Sequence, residues 1–140
     1  KAQLVRKTVK VLALLGLLIS AQAQAYSTQE LRNDCRTAES IYTQQKSTDP
    51  YESVSSTRCI AYLAGFADSY AISDYLADKV GVKLNAFCLP KDKNLSARLV
   101  RAVLSQLERQ PANSNVSTAM LVASALSNSF PCADSLEPKK

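Results

Sequence analysis

The chain contains no histidine and no tryptophan, only three glycines and one methionine among 140 residues. Without histidine, Ser-His-Asp and Cys-His nucleophile schemes and the common zinc hydrolase sites are excluded. Glycine occurs only at Gly16, Gly65 and Gly81, so no glycine-rich loop can cradle a phosphate. Four cysteines are present, Cys35, Cys59, Cys88 and Cys132, with no Cys-x-x-Cys pair and sequence separations of 24, 29 and 44 residues. Those intervals match no zinc pattern. Neither a metal nor an organic cofactor is expected.

What is present begins with the N-terminus. Lys1, Arg6, Lys7 and Lys10 precede an unbroken apolar stretch from Val11 to Ile19, then Ser20-Ala21-Gln22-Ala23-Gln24-Ala25. Charged, apolar and small-residue segments in that order predict a secretory signal peptide over residues 1–25, cleaved after Ala25. A membrane-spanning helix needs about 20 apolar residues, roughly twice this run, so no membrane association is expected after cleavage. No cysteine follows the cleavage point, which disfavours a lipid anchor.

Cleavage changes the electrostatics. Four of the 17 basic residues lie in the signal, and the 13 that remain face 12 acidic residues, a net charge of +1. No Lys/Arg cluster interleaved with aromatics survives, so no nucleic-acid partner is expected. Residues 26–140 are enough for one domain with its own core, with a loose polar tail from about residue 133. In an exported chain four separated cysteines read as two disulfides, for which three connectivities exist.

Caps and periodicity predict four helices. Ser27-Thr28-Gln29-Glu30 has the form of a capping box, followed by Leu31, Cys35, Ala38 and Tyr42 at helical spacing, with an end near Gln45. Asp49-Pro50 starts a second helix, loosened over Ser53–Thr57 and firm from about Ser56. Cys59, Leu63, Phe66 and Tyr70 line one face of it, and small residues such as Gly65 suit close packing; this helix is expected at the centre of the core. A connection over Val80–Lys93 leads to a third helix, capped by Asn94, with Leu95, Leu99, Val103 and Leu107 in steps of four and a stop at Pro111. A fourth starts near Asn115, with Val116, Met120, Ala123 and Leu126 on one face. The fold class is therefore all-α, a small four-helix bundle braced by two disulfides. An up-down arrangement favours Cys35–Cys59 and Cys88–Cys132.

No catalytic constellation emerges, and a binding protein rather than an enzyme is expected. Asp68, Asp74 and Asp78 lie on the second half of helix two, with Asp74 and Asp78 one turn apart, and could act as acid and base, but a solvated helix face explains them better. Tyr75 beside Asp74 and Asp78 is an interface candidate, because tyrosine offers contact area with little entropy loss.

Four short motifs in order resemble a known family. They are Cys59-Ile60-Ala61-Tyr62-Leu63-Ala64-Gly65-Phe66-Ala67-Asp68, Phe87-Cys88-Leu89-Pro90, Leu107-Glu108-Arg109-Gln110-Pro111 and Ser129-Phe130-Pro131-Cys132. Together with Cys35 they resemble the Rap/Tai immunity proteins, periplasmic inhibitors of peptidoglycan amidase effectors delivered by type VI secretion. The resemblance implies a cognate secreted amidase as partner, bound so that its catalytic cleft is covered. The expected contact surface is either Asp74, Tyr75 and Asp78 or the turn containing Gln110, Asn113 and Asn115. An acid-stress periplasmic chaperone and an envelope adaptor are the competing readings of a small disulfide-braced helical domain. A homodimer is a further expectation, since the helices carry more apolar positions than one core needs.

Overall fold

A computed structural model describes residues 25–43, 49–111 and 114–133. Residues 1–24 of the expected signal segment, Asn113 and most of the expected tail lie outside the described residues. Four helices follow one another: α1 (Thr28–Tyr42), α2 (Pro50–Asp78), α3 (Leu95–Arg109) and α4 (Thr118–Ser129). No strand occurs among the described residues, and none of their helices is long and apolar enough to cross a membrane.

α1 starts with the predicted reciprocal cap. The Ser27 hydroxyl accepts from the Glu30 N–H, and the Glu30 carboxylate accepts from the Ser27 N–H at 2.9 Å. Asp49 caps α2 by accepting from the Tyr51 N–H at 2.9 Å, with Pro50 at the first helical position. The serine-rich stretch does not loosen α2. Thr57 donates its hydroxyl to the Ser53 carbonyl one turn back, at 2.8 Å, so its polar group is satisfied within the helix. α3 ends at Arg109 because Gln110, the residue before Pro111, is extended.

Two start signals act differently from expectation. Asn94 makes no side-chain cap bond; Asp92 instead accepts from the Asn94 N–H at 2.9 Å and from Arg98 at 3.0 Å, and so fastens the first turn of α3. α4 begins at Thr118 with Ser117 as its cap, and its buried face is Thr118, Leu121, Val122, Ala125 and Leu126. Met120, expected inside, is 62% exposed. The Thr118 hydroxyl donates to the Tyr26 carbonyl at 2.6 Å, a long-range bond that fixes the rotation of α4.

The core is built chiefly on α3, which buries Leu99, Val100, Ala102, Val103, Leu104 and Leu107. α2 is not its centre, since only Ser56, Cys59 and Leu63 are buried among its 29 residues. The disulfide Cys35–Cys59, with Cα atoms 5.1 Å apart, staples α1 to α2. Arg58 pairs with Glu30 and Asp34, while Tyr62 packs on Tyr26, so the two helices run antiparallel. Cys88–Cys132, with Cα atoms 4.9 Å apart, joins the segment after α2 to the segment after α4. Both pairings match the sequence expectation.

Length then decides what α2 can bury. Its 29 residues span about 44 Å, whereas the 15 residues of α1 span about 22 Å. By Tyr62 the antiparallel α2 has reached Tyr26, which precedes α1. The later turns of α2 therefore run past α1.

Candidate partner-binding face

Beyond Leu63, α2 keeps apolar residues on two faces. Phe66 and Tyr70 pack inward against the core. Ile72 and Leu76, one turn apart on the outer side, are 61% and 59% exposed, and Val80, in the turn just past the helix, is 77% exposed. Tyr75 is also exposed, with Lys79 Nζ 4.7 Å from its ring centroid. Along the adjoining flank, Ala61, Gly65, Ser69 and Ser73 form a small-residue floor beside Tyr62 and Phe66. A methyl group added at Gly65 would meet nothing within 4 Å. Gly65 thus serves no close helix packing within the described chain, contrary to expectation.

The C-terminus of α2 turns back on itself. Gly81, at φ +78°, permits the reversal: its N–H donates to the Asp78 carbonyl and the Val82 N–H to the Ala77 carbonyl, both at 3.0 Å. The chain then returns along α2. The Leu84 N–H donates to Asp74 Oδ1 at 3.2 Å, and the Ala86 N–H to the Tyr70 hydroxyl oxygen at 2.8 Å. Val82 and Leu84 remain exposed on this loop, which lies along the Tyr70, Asp74 and Ala77 edge of α2.

The expected contact residues fall into two separate places. Tyr75 and Asp78 are exposed in the last turns of α2, but Asp74 is half-buried and engaged with the loop, so the solvated-face reading fails for it. Gln110 is half-buried beyond α3 and accepts from the Ser114 hydroxyl at 2.7 Å, whereas Asn115 is exposed. No hydrogen bond or ion pair among the described residues links that turn to the end of α2. Sequence reading missed Ile72, Leu76, Val80, Val82 and Leu84 as surface, although the four-residue spacing of the first three was visible.

Charged groups elsewhere serve the fold. The Asp34 carboxylate, nearly fully buried, accepts from the Tyr26 hydroxyl and pairs with Arg58 Nε at 3.4 Å. Burial first, and then the hydrogen bond to Asp34, hold the Tyr26 phenol well above its ordinary range. The Ser27 N–H lowers Glu30, and the Asn94 N–H followed by Arg98 lowers Asp92. No group of three His, Cys, Asp or Glu able to hold a metal occurs among the described residues.

Residues 27–132, from the cap of α1 to the second disulfide, match the profile of the Rap1a immunity proteins. The chain belongs to this family. As a Rap1a-type immunity protein it is directed against a secreted effector, a role met by binding, and that role demands a face left open to a partner. No curated protein and no solved structure matches the chain.

Proposed function

We propose that this Rap1a-type chain is exported to the periplasm and there binds and inhibits a peptidoglycan amidase effector of type VI secretion, docking through the outer face of α2 and the loop after it. The uncovered second apolar face of α2 carries the reading: a helix apolar on both sides, with one side bare, needs something to cover it. Ile72, Leu76 and Val80 supply the apolar centre of the contact, while Tyr75, Asp78 and Lys79 supply an amphipathic and charged rim. Support for export comes from the charged, apolar and small-residue order of residues 1–25.

The test is titration of the exported, disulfide-bonded chain into the peptidoglycan hydrolysis assays of type VI amidases. Loss of activity at one equivalent of a single amidase is expected. Ile72→Asp combined with Leu76→Asp should weaken that inhibition about a hundredfold without altering the thermal midpoint. Inhibition unaffected by the double substitution would move the contact elsewhere. Broad binding of unfolded clients only at low pH would instead support the chaperone reading. Sedimentation of the protein alone tests the competing occupant: a dimer that the double substitution dissociates would assign the face to a second copy.

A further inference from the structure

Residues 82–86 leave α2 at its reversed C-terminus and rejoin the core at Phe87, which is buried and stacks on Tyr70 with ring centroids 3.9 Å apart. Cys88 then fastens the chain twice, by its disulfide and by its N–H to the Phe130 carbonyl at 2.8 Å. Between those anchors the segment is exposed and contributes no buried side chain. Such a segment has little to offset the cost of ordering its backbone, about 1–2 kcal/mol per residue.

Its order comes from a ladder along α2. The N–H groups of Val82, Leu84 and Ala86 are received by the Ala77 carbonyl, the Asp74 carboxylate and the Tyr70 hydroxyl. Residues 77, 74 and 70 lie one turn apart along one edge of α2, about 5.4 Å per turn, and alternate amides of an extended chain recur about every 6.6 Å. The two spacings match closely enough for each second amide to find the next turn. Two of the three acceptors are side chains, so they depend on which residues occupy positions 70 and 74.

We propose that Tyr70 and Asp74 are positioning residues, which hold the loop so that the exposed Val82 and Leu84, just past the end of α2, are presented to the effector in a fixed shape. This rests on the docking face proposed above. Asp74 acts through the loop and does not touch the partner, and Tyr70 does the same from beneath. A loop ordered beforehand loses less entropy on binding, which appears as affinity.

The experiment compares wild type, Asp74→Ala, Asp74→Asn and Tyr70→Phe in the exported, disulfide-bonded chain. Trypsin cleavage after Lys83, followed by mass spectrometry, reads the open population of the loop without any effector present. The dissociation constant for the inhibited amidase is then measured on the same proteins. Asp74→Ala and Tyr70→Phe are expected to speed that cleavage about tenfold and to weaken binding about tenfold, with the thermal midpoint retained. Asp74→Asn keeps an acceptor oxygen and should stay close to wild type in both. Cleavage unchanged in Asp74→Ala and Tyr70→Phe would overturn the ladder. Faster cleavage with undiminished affinity would overturn the role in docking. If Ile72→Asp with Leu76→Asp leaves affinity intact, the docking face itself has failed and the positioning role falls with it, while the trypsin rates still report whether the ladder holds.

Discussion

α3 and α2 handle their apolar residues in opposite ways. α3 gathers Leu99, Val100, Val103, Leu104 and Leu107 on one side, all buried, and sends Arg101, Glu108 and Arg109 to solvent. α2 is nearly twice as long, buries Cys59 and Leu63 on one side, and leaves Ile72 and Leu76 bare on the other, with exposed Val80 just past its end. One stripe is what a helix needs in order to fold onto a core. The second stripe on α2 packs against none of the described helices, and it is the face on which the proposed docking rests.

The comparison breaks most visibly under a single charge. Val103→Asp would place an unpaired carboxylate in a site with no solvent access, at a cost of more than about 4 kcal/mol, a large share of a typical domain's stability. No cooperative thermal transition is expected for it by circular dichroism. Leu76→Asp is the same kind of change on the other stripe and should alter stability by no more than about 0.5 kcal/mol. Should Leu76→Asp also abolish the transition, the outer face of α2 would belong to an obligate core shared with another chain.

Much of α3 and α1 was legible in the sequence because their determinants are local. The Ser27–Glu30 capping box, the four-residue steps of Leu95 to Leu107 and the stop at Pro111 all act within a turn or two. The cysteine pairing followed from helix order. What escaped depends on distant contacts. α4 is turned by the bond from Thr118 to Tyr26, 92 residues away, so Met120 faces out although its spacing from Leu126 looked internal. Asp74 looked like one of three solvated acids, and only the reversal at Gly81 brings Leu84 back to it. The site was half-visible for the same reason: the apolar residues at 72, 76 and 80 could be counted, but that α2 outruns α1 could not.

Removing the staples tests how far the covered half depends on them. Cys35→Ser with Cys59→Ser should cost about 3 kcal/mol, and Cys88→Ser with Cys132→Ser about 0.5 kcal/mol more, because 44 residues rather than 24 separate the second pair. Thermal midpoints lower by about 10 °C or more would register both. Reversal of that order would mean that the two sites differ in more than loop length.

Gly65→Ala sharpens the contrast in the other direction. Alanine is favoured over glycine within a helix by about 0.5–1 kcal/mol, and its methyl group has open space here. A rise of a few degrees in thermal midpoint is expected. Unchanged effector affinity would confine the contact to Ile72, Leu76 and the loop after α2, whereas weakened affinity would extend it over the small-residue flank.

The smallest expected effect concerns acid. Glu30 and Asp92 are both lowered in the folded protein, Glu30 chiefly by the Ser27 N–H and Asp92 chiefly by the Asn94 N–H. A carboxylate lowered on folding adds stability above its unfolded value, near 4.5 for Glu30 and 3.8 for Asp92, and loses that contribution as pH falls through the still lower folded value. The thermal midpoint should therefore hold from pH 7 to about pH 5 and decline below about pH 4.5. Glu30→Gln should lie slightly below wild type at pH 7 and decline less, so that the two curves converge in acid. Both groups fasten helix starts, α1 and α3, within the covered half. Wild-type and Glu30→Gln curves that stayed parallel down to pH 3 would remove the Glu30 cap from the account of what holds that half together.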